Sequence, residues 1–220
     1  MNKKFKPLAF KEKTEEEMIA ASNLFLEQMK KRRTVRNFSN RSVPEEVINN
    51  AILTAGTAPN GGNMQPWHFV VITEPAIKKE IRTAAEKEEQ EFYNNRASDE
   101  WLQALKPFAT DENKPFLEKA PCLIAVFMRN HILDEQGKKH KTYYPVESVG
   151  IATGMLITAL HFSGLATLTH TPSPMRFLNK ILQRPNFERP FLIVVTGYPD
   201  NNTEVPEISK FNLEQITTFK

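Results

Sequence analysis

The sequence predicts an α+β or α/β sandwich, one sheet of four or five strands wrapped by helices. Three observations carry that expectation. Short, wholly apolar runs of strand length alternate with longer segments of helical periodicity along the 220 residues. The runs end at breakers such as Glu74-Pro75 and Gly197-Tyr198-Pro199. No internal repeat, low-complexity tract or Pro/Gly/Ser linker divides the chain, so a single domain over 1–220 is expected.

Residues 1–13 alternate lysines with single apolar residues and read as an extended arm, too polar for a signal peptide or a membrane span. Thr14 with Glu17 forms a capping-box pattern that opens a helix to about Arg33, with Met18, Ala21, Leu24, Phe25 and Met29 on one face. Ser42 with Glu45 is a second such pattern, and the helix behind it offers Val47, Ile48, Ala51, Ile52 and Ala55 to a core before Gly56. The Gly- and Asn-rich residues 57–63 are a loop, and 69–73 a buried strand. A highly charged helix follows over 76–95, then shorter helical pieces over 99–118 broken by Pro107 and Pro115. Residues 122–128 form the second apolar strand, and a polar loop around Gly137 comes next. The segment 146–162 is apolar nearly all round, with small Gly150, Ala152 and Gly154, so it either crosses the middle of the protein or forms a subunit interface. Strand 165–169, helix 175–182, strand 191–196 and a helical turn at 213–216 complete the order.

Composition narrows the function. At 40% hydrophobic and 25% charged residues the chain is an ordinary globular one. Twenty-nine Lys and Arg against 26 Asp and Glu leave +3, far from the dense basic surface that binds nucleic acid. A single cysteine, Cys122, excludes a disulfide framework and points to the reducing cytosol; at the head of an apolar strand it reads as packing rather than nucleophile. The five histidines lack metal-ligand spacing, so no metal centre is expected. No stretch of about 18 uninterrupted apolar residues suggests a membrane span, and a cytoplasmic protein is expected.

Four constellations could carry chemistry. Residues 30–36 hold five cations in seven positions, either a solvated basic helix end or a cradle whose arginine forks grip phosphate. The loop Pro59-Asn60-Gly61-Gly62-Asn63-Met64-Gln65-Pro66-Trp67 is either a plain helix-to-strand turn or a place where backbone N–H groups approach a ligand; it matches neither a dinucleotide fingerprint nor a P-loop. Glu89 and Tyr93 share a helical face at i,i+4, with Lys114 downstream, and on so charged a helix Glu89 reads equally as solvent decoration. Residues 168–174 end a strand in hydroxyls, an imidazole and two prolines, a favoured ligand position or a helix entry with Ser173 as N-cap.

Taken together these segments resemble the nitroreductase-like flavoprotein superfamily, and within it most closely the iodotyrosine deiodinase family. The resemblance covers roughly 30–216. It rests on Arg32-Arg33-Thr34-Val35-Arg36, Thr54-Ala55-Gly56-Thr57-Ala58-Pro59, Pro66-Trp67 with Phe69-Val70-Val71, Glu86-Lys87-Glu88-Glu89 with Tyr93, Lys114-Pro115-Phe116-Leu117-Glu118, Thr169-His170-Thr171-Pro172 and Val195-Thr196-Gly197-Tyr198-Pro199. Arg32 to Arg36 point to the superfamily; Glu89, Tyr93 and Lys114 together point to the deiodinase branch.

The resemblance implies a mostly antiparallel sheet in a domain-swapped homodimer, with FMN at the subunit interface and 200–220 extending to the partner. It implies FMN contacts from Arg32, Arg33, Thr34, Val35, Arg36, Pro59, Asn60, Thr169, His170, Thr171 and Lys210. Thr171 would donate to flavin N5, favouring one-electron steps over hydride transfer, and NAD(P)H or a separate reductase would supply electrons. Glu89, Tyr93 and Lys114 would bind the zwitterion of a halotyrosine or related phenol from a lid over 86–118, and the Gly62 N–H would face its phenolate. The chain departs from the family at Asn60-Gly61-Gly62-Asn63, where Ser-Gly-Ala-His is usual, and at Lys210, where arginine is usual. A broad NAD(P)H-dependent nitroreductase or quinone reductase is the alternative, and a non-catalytic flavin-binding module a third reading.

Overall fold

The central strand β2 (Cys122–Arg129) shows how the architecture arises. Its alternate residues Leu123, Ala125 and Phe127 join one apolar cluster, and Cys122, Ile124, Val126 and Met128 join a second. A strand buried on both faces needs helices on both faces. In this computed structural model, which describes residues 5–220, that requirement is met. The chain falls into two compact units, 1–32 and 33–220.

In the first unit, 5–14 have no regular structure, and the first four residues of the expected arm lie outside the described residues. Helix α1 (Glu15–Lys30) starts as expected, with the Thr14 side chain accepting from the Glu17 N–H and Glu17 reaching back to the Thr14 N–H. It ends about one turn before the expected Arg33, and none of its residues is buried.

In the second unit the sheet order is β1 (Trp67–Ile72), β2, β6 (Glu188–Gly197), β5 (Ala166–His170), with every neighbour antiparallel. That settles α+β over α/β. Helices α2 (Glu45–Gly56) and α6 (Pro145–Phe162) cover one face, and α3 (Pro75–Glu91), α5 (Phe116–Lys119) and α7 (Phe177–Ile181) the other. A short α4 (Asp99–Leu105) and a closing α8 (Leu213–Ile216) complete the α-helices among the described residues. Glu188 is buried at the head of β6 and paired to Arg129 and Arg184 at 2.7 Å each, a cluster that widely spaced positions do not announce.

Three expectations are corrected. Ser42 does not cap α2, because extended Pro44 is the residue that precedes the helix and Ser42 lies too far back. Ser173 does not cap α7, which begins only after Arg176. The polar loop holds a small hairpin, β3 (His131–Leu133) with β4 (Lys139–Lys141). Three-residue strands, here His131-Ile132-Leu133 and Lys139-His140-Lys141, are too short to show a periodicity; Asp134 and Gly137 close the turn through Gly137 N–H to Asp134 O at 2.9 Å.

Candidate functional site

Helix α3 buries Ile81 and Ala85 against the sheet, and Glu89 follows Ala85 by one more turn on the same stripe. That position takes Glu89 off the solvated face of the helix. Glu89 pairs with Lys114 at 3.2 Å, the two side chains being 14% and 4% exposed. Lys114 Nζ also donates to Asp111 O and lies 5.4 Å from the Tyr93 ring centre, while its backbone N–H donates to Glu86 Oε1 at 2.7 Å. Glu86 is held in turn by Arg82, which also reaches Glu118. The 110–118 segment is thereby fastened along α3.

After Glu91 the helix widens into a π turn, Phe92–Arg96, closed by the Ala97 N–H on Phe92 O at 2.8 Å. The expected regular helix to 95 is broken there. Tyr93 sits in this turn with its hydroxyl donating to Thr110 O at 3.0 Å and its ring edge-on to Phe92. Burial raises its phenol pKa more than the Thr110 hydrogen bond lowers it, with Glu89 and Asp111 adding to the rise and Arg36 opposing it.

Arg36 links this cluster to the basic segment. Val35 N–H donates to Thr167 O at 3.1 Å, so 34–35 run beside β5, with the Val35 side chain in the core. Arg33 donates to Pro206 O, and Lys210, four residues on, is exposed. Arg32 is the last residue of the first unit, its N–H closing α1 on Met29 O at 3.1 Å. At the end of β5, Thr169 and Thr171 are exposed while His170 between them is buried. His170 packs edge-on against Phe116, and its Nε2 has no partner among the described residues. Burial first, then the charges of Lys114 and Arg36, push its pKa down to about 3, so the imidazole is neutral.

The glycine loop is built differently from a plain turn. Asn60 closes it, donating to Ala58 O at 3.1 Å and accepting from the Gln65 N–H at 2.8 Å. Gly62 has φ +60°, and the turn's hydrogen bonds, Asn63 N–H to Asn60 O and Met64 N–H to Gly61 O, leave its N–H out. Gly61 bridges to Tyr143, and a Cβ there would lie 2.4 Å from Tyr143 O. Pro59 is exposed at the loop's start. Tyr143, Thr110 and Arg96 are contact residues the sequence pattern missed, and none of them carries a local signal. A groove of about 1070 Å³ lined by Lys78, Arg82, Lys119 and Cys122 contains none of the expected site residues, and its buried Lys78 is already satisfied by Ala120 O at 2.8 Å.

The nitroreductase family profile matches residues 29–198. A protein of Haliscomenobacter hydrossis named iodotyrosine deiodinase is 54% identical over 94% of this chain and 93% of its own length. The chain belongs to the nitroreductase family, in its iodotyrosine deiodinase branch. Human iodotyrosine deiodinase 1 is 41% identical to this nitroreductase-family chain, over 96% of it and 73% of the human protein. A crystal structure of oxidised iodotyrosine deiodinase bound to FMN and 3-iodo-L-tyrosine superposes with a TM-score of 0.75 at 31% identity, over 89% of this chain and 100% of that one.

Proposed function

We propose that this chain is an FMN-dependent reductive dehalogenase that removes iodide, or another halide, from halotyrosines and releases tyrosine. The observation that carries the reading is the Glu89–Lys114 pair, an acid and a base 3.2 Å apart, nearly shut off from water beside a phenol. A halotyrosine brings an ammonium and a carboxylate. Glu89 takes the ammonium and Lys114 the carboxylate, so binding exchanges one ion pair for two, and Tyr93 adds a hydrogen-bonding hydroxyl. Charge-assisted contacts of this kind are worth about 1.5–3 kcal/mol each. The Gly62 N–H faces the phenolate oxygen, a preorganised donor for developing negative charge.

The residues present fit FMN. Arg33 and Arg36 offer guanidinium forks to a phosphate, to which the family resemblance adds Arg32 and Lys210, and the exposed hydroxyls of Thr169 and Thr171 offer donors to a polar ring edge. His170, neutral and unpartnered at Nε2, lies within electrostatic reach of both Arg36 and Lys114. FMN, when bound, supplies the electrons. Thr171 would donate to N5, Thr34, Val35, Pro59 and Asn60 would line the cofactor, and the segment 86–118 would close over the substrate and exclude water. NAD(P)H or a separate reductase recharges the flavin.

The reading includes a homodimer in the cytoplasm, with 200–220 reaching the partner. Support comes from α6, where Ile151 is 46% exposed and a Cβ at Gly150 or Gly154 would meet nothing within 4 Å. A broad nitroreductase is the second reading, favoured by Asn60, whose amide is spent closing its own loop.

One titration separates the two. The FMN-loaded protein titrated with 3-iodo-L-tyrosine should show saturable quenching of flavin fluorescence. Absence of quenching together with brisk NAD(P)H-driven nitroarene turnover would favour the nitroreductase.

A further inference from the structure

Arg96 makes contacts that neither the substrate clamp nor the flavin contacts account for. Its Nη1 donates to Ser173 O at 2.7 Å, and its Nη2 donates to Glu88 O at 2.6 Å and to Glu88 Oε2 at 3.2 Å. Ser173 is two residues past Thr171, and Glu88 is the neighbour of Glu89. One guanidinium thus joins the end of α3 to a loop 77 residues beyond Arg96 in sequence. The π turn makes this possible: its extra residue sets Arg96 back over the last turn of α3, eight residues from the carbonyl it grips. That carbonyl belongs to the negative end of the helix dipole, which favours a cation there. The side chain is 39% exposed, so its charge stays hydrated and the fork is free of a heavy desolvation cost.

We propose that Arg96 is a positioning residue that ties the substrate lid to the loop behind Thr171, so that the two segments open and close as one. The proposal rests on the halotyrosine reading of the site. In a ligand-free protein the tether keeps Glu89 and Tyr93 registered over the end of β5; loss of it leaves the clamp intact as chemistry but out of place.

The test uses the FMN-loaded protein and its Arg96→Ala and Arg96→Lys variants. Hydrogen–deuterium exchange is followed over 86–118 and 171–176 without substrate, and 3-iodo-L-tyrosine affinity is read from flavin fluorescence. Arg96→Ala should exchange faster in both segments together. It should also weaken 3-iodo-L-tyrosine by about tenfold, while FMN affinity stays within about twofold. Arg96→Lys should recover part of the protection, because an ammonium satisfies one carbonyl but lacks the fork to span both; it also serves if the alanine variant does not fold. Faster exchange confined to the lid, or substrate affinity equal to the parent's, overturns the tether and leaves Arg96 a local helix contact. If the parent itself ignores 3-iodo-L-tyrosine, the substrate reading fails, and the exchange pattern alone then upholds or overturns the tether.

Discussion

Lys114 and Glu89 are each other's partner in the ligand-free site and, in the proposed complex, partners of opposite ends of one amino acid. Lys114→Ala and Glu89→Gln should therefore each weaken 3-iodo-L-tyrosine by about tenfold or more, the equivalent of one charge-assisted contact, with FMN still bound. Fluorescence titration of both variants checks this, and parent-like affinity in both would remove the clamp. His170 is a second such position. Its folded-state pKa of about 3 lies far below the ordinary histidine value, so between those values the unfolded chain binds the extra proton. Stability thus falls as pH drops below about 6.5, the ordinary histidine value. His170→Gln should flatten the loss of thermal midpoint between about pH 7 and pH 5, measured by calorimetry. The acid and base of the clamp were readable from spacing plus resemblance. The neutral state of His170 was not, because it arises from burial against Phe116 and from two cations that converge from segments far apart in sequence.

Among the elements, the strands were the most legible. Runs such as 122–128 have no polar residue to place on a solvated face, so only a sheet covered on both sides accommodates them. The charged helix 76–95 was legible as a helix but not as a π turn, since one extra residue in a turn leaves no compositional mark. The glycine loop is similar. Its Gly61 is required by close approach of the Tyr143 backbone, a partner 82 positions away that no local pattern names. Gly61→Ala should lower stability by about 1–3 kcal/mol, visible as a drop in thermal midpoint. It should also disturb the Gly62 N–H more than the lid. An unchanged midpoint would show that the Tyr143 backbone yields easily.

The assembled protein presents one face of α6 to the sheet and leaves Ile151 and two glycines outward. Such a stripe suits a second copy of the same chain better than water, which agrees with the proposed dimer. Ile151→Arg should shift sedimentation from dimer to monomer and lower FMN retention on desalting, if the proposed dimer holds the cofactor at its interface. A monomeric variant that keeps its flavin would detach cofactor binding from dimerisation. The helix's all-round apolarity left two alternatives open, core or interface, and it serves the first with one face: Val149, Ala152, Leu156 and Leu160 are fully buried.

Continuous apolar runs and period-3.6 apolar patterns are local, so they were enough to establish the sheet strands, most of the helices and the layered class. Residue types at close spacing were enough to single out the basic segment, whereas Glu89, Tyr93 and Lys114 came together as a clamp only through the family resemblance. Antiparallel order, the reach of Arg36 to Tyr93 and His170, and the Arg96 bridge depend on which distant segments come to lie side by side. Long-range packing sets those, and it leaves no periodic trace along the chain.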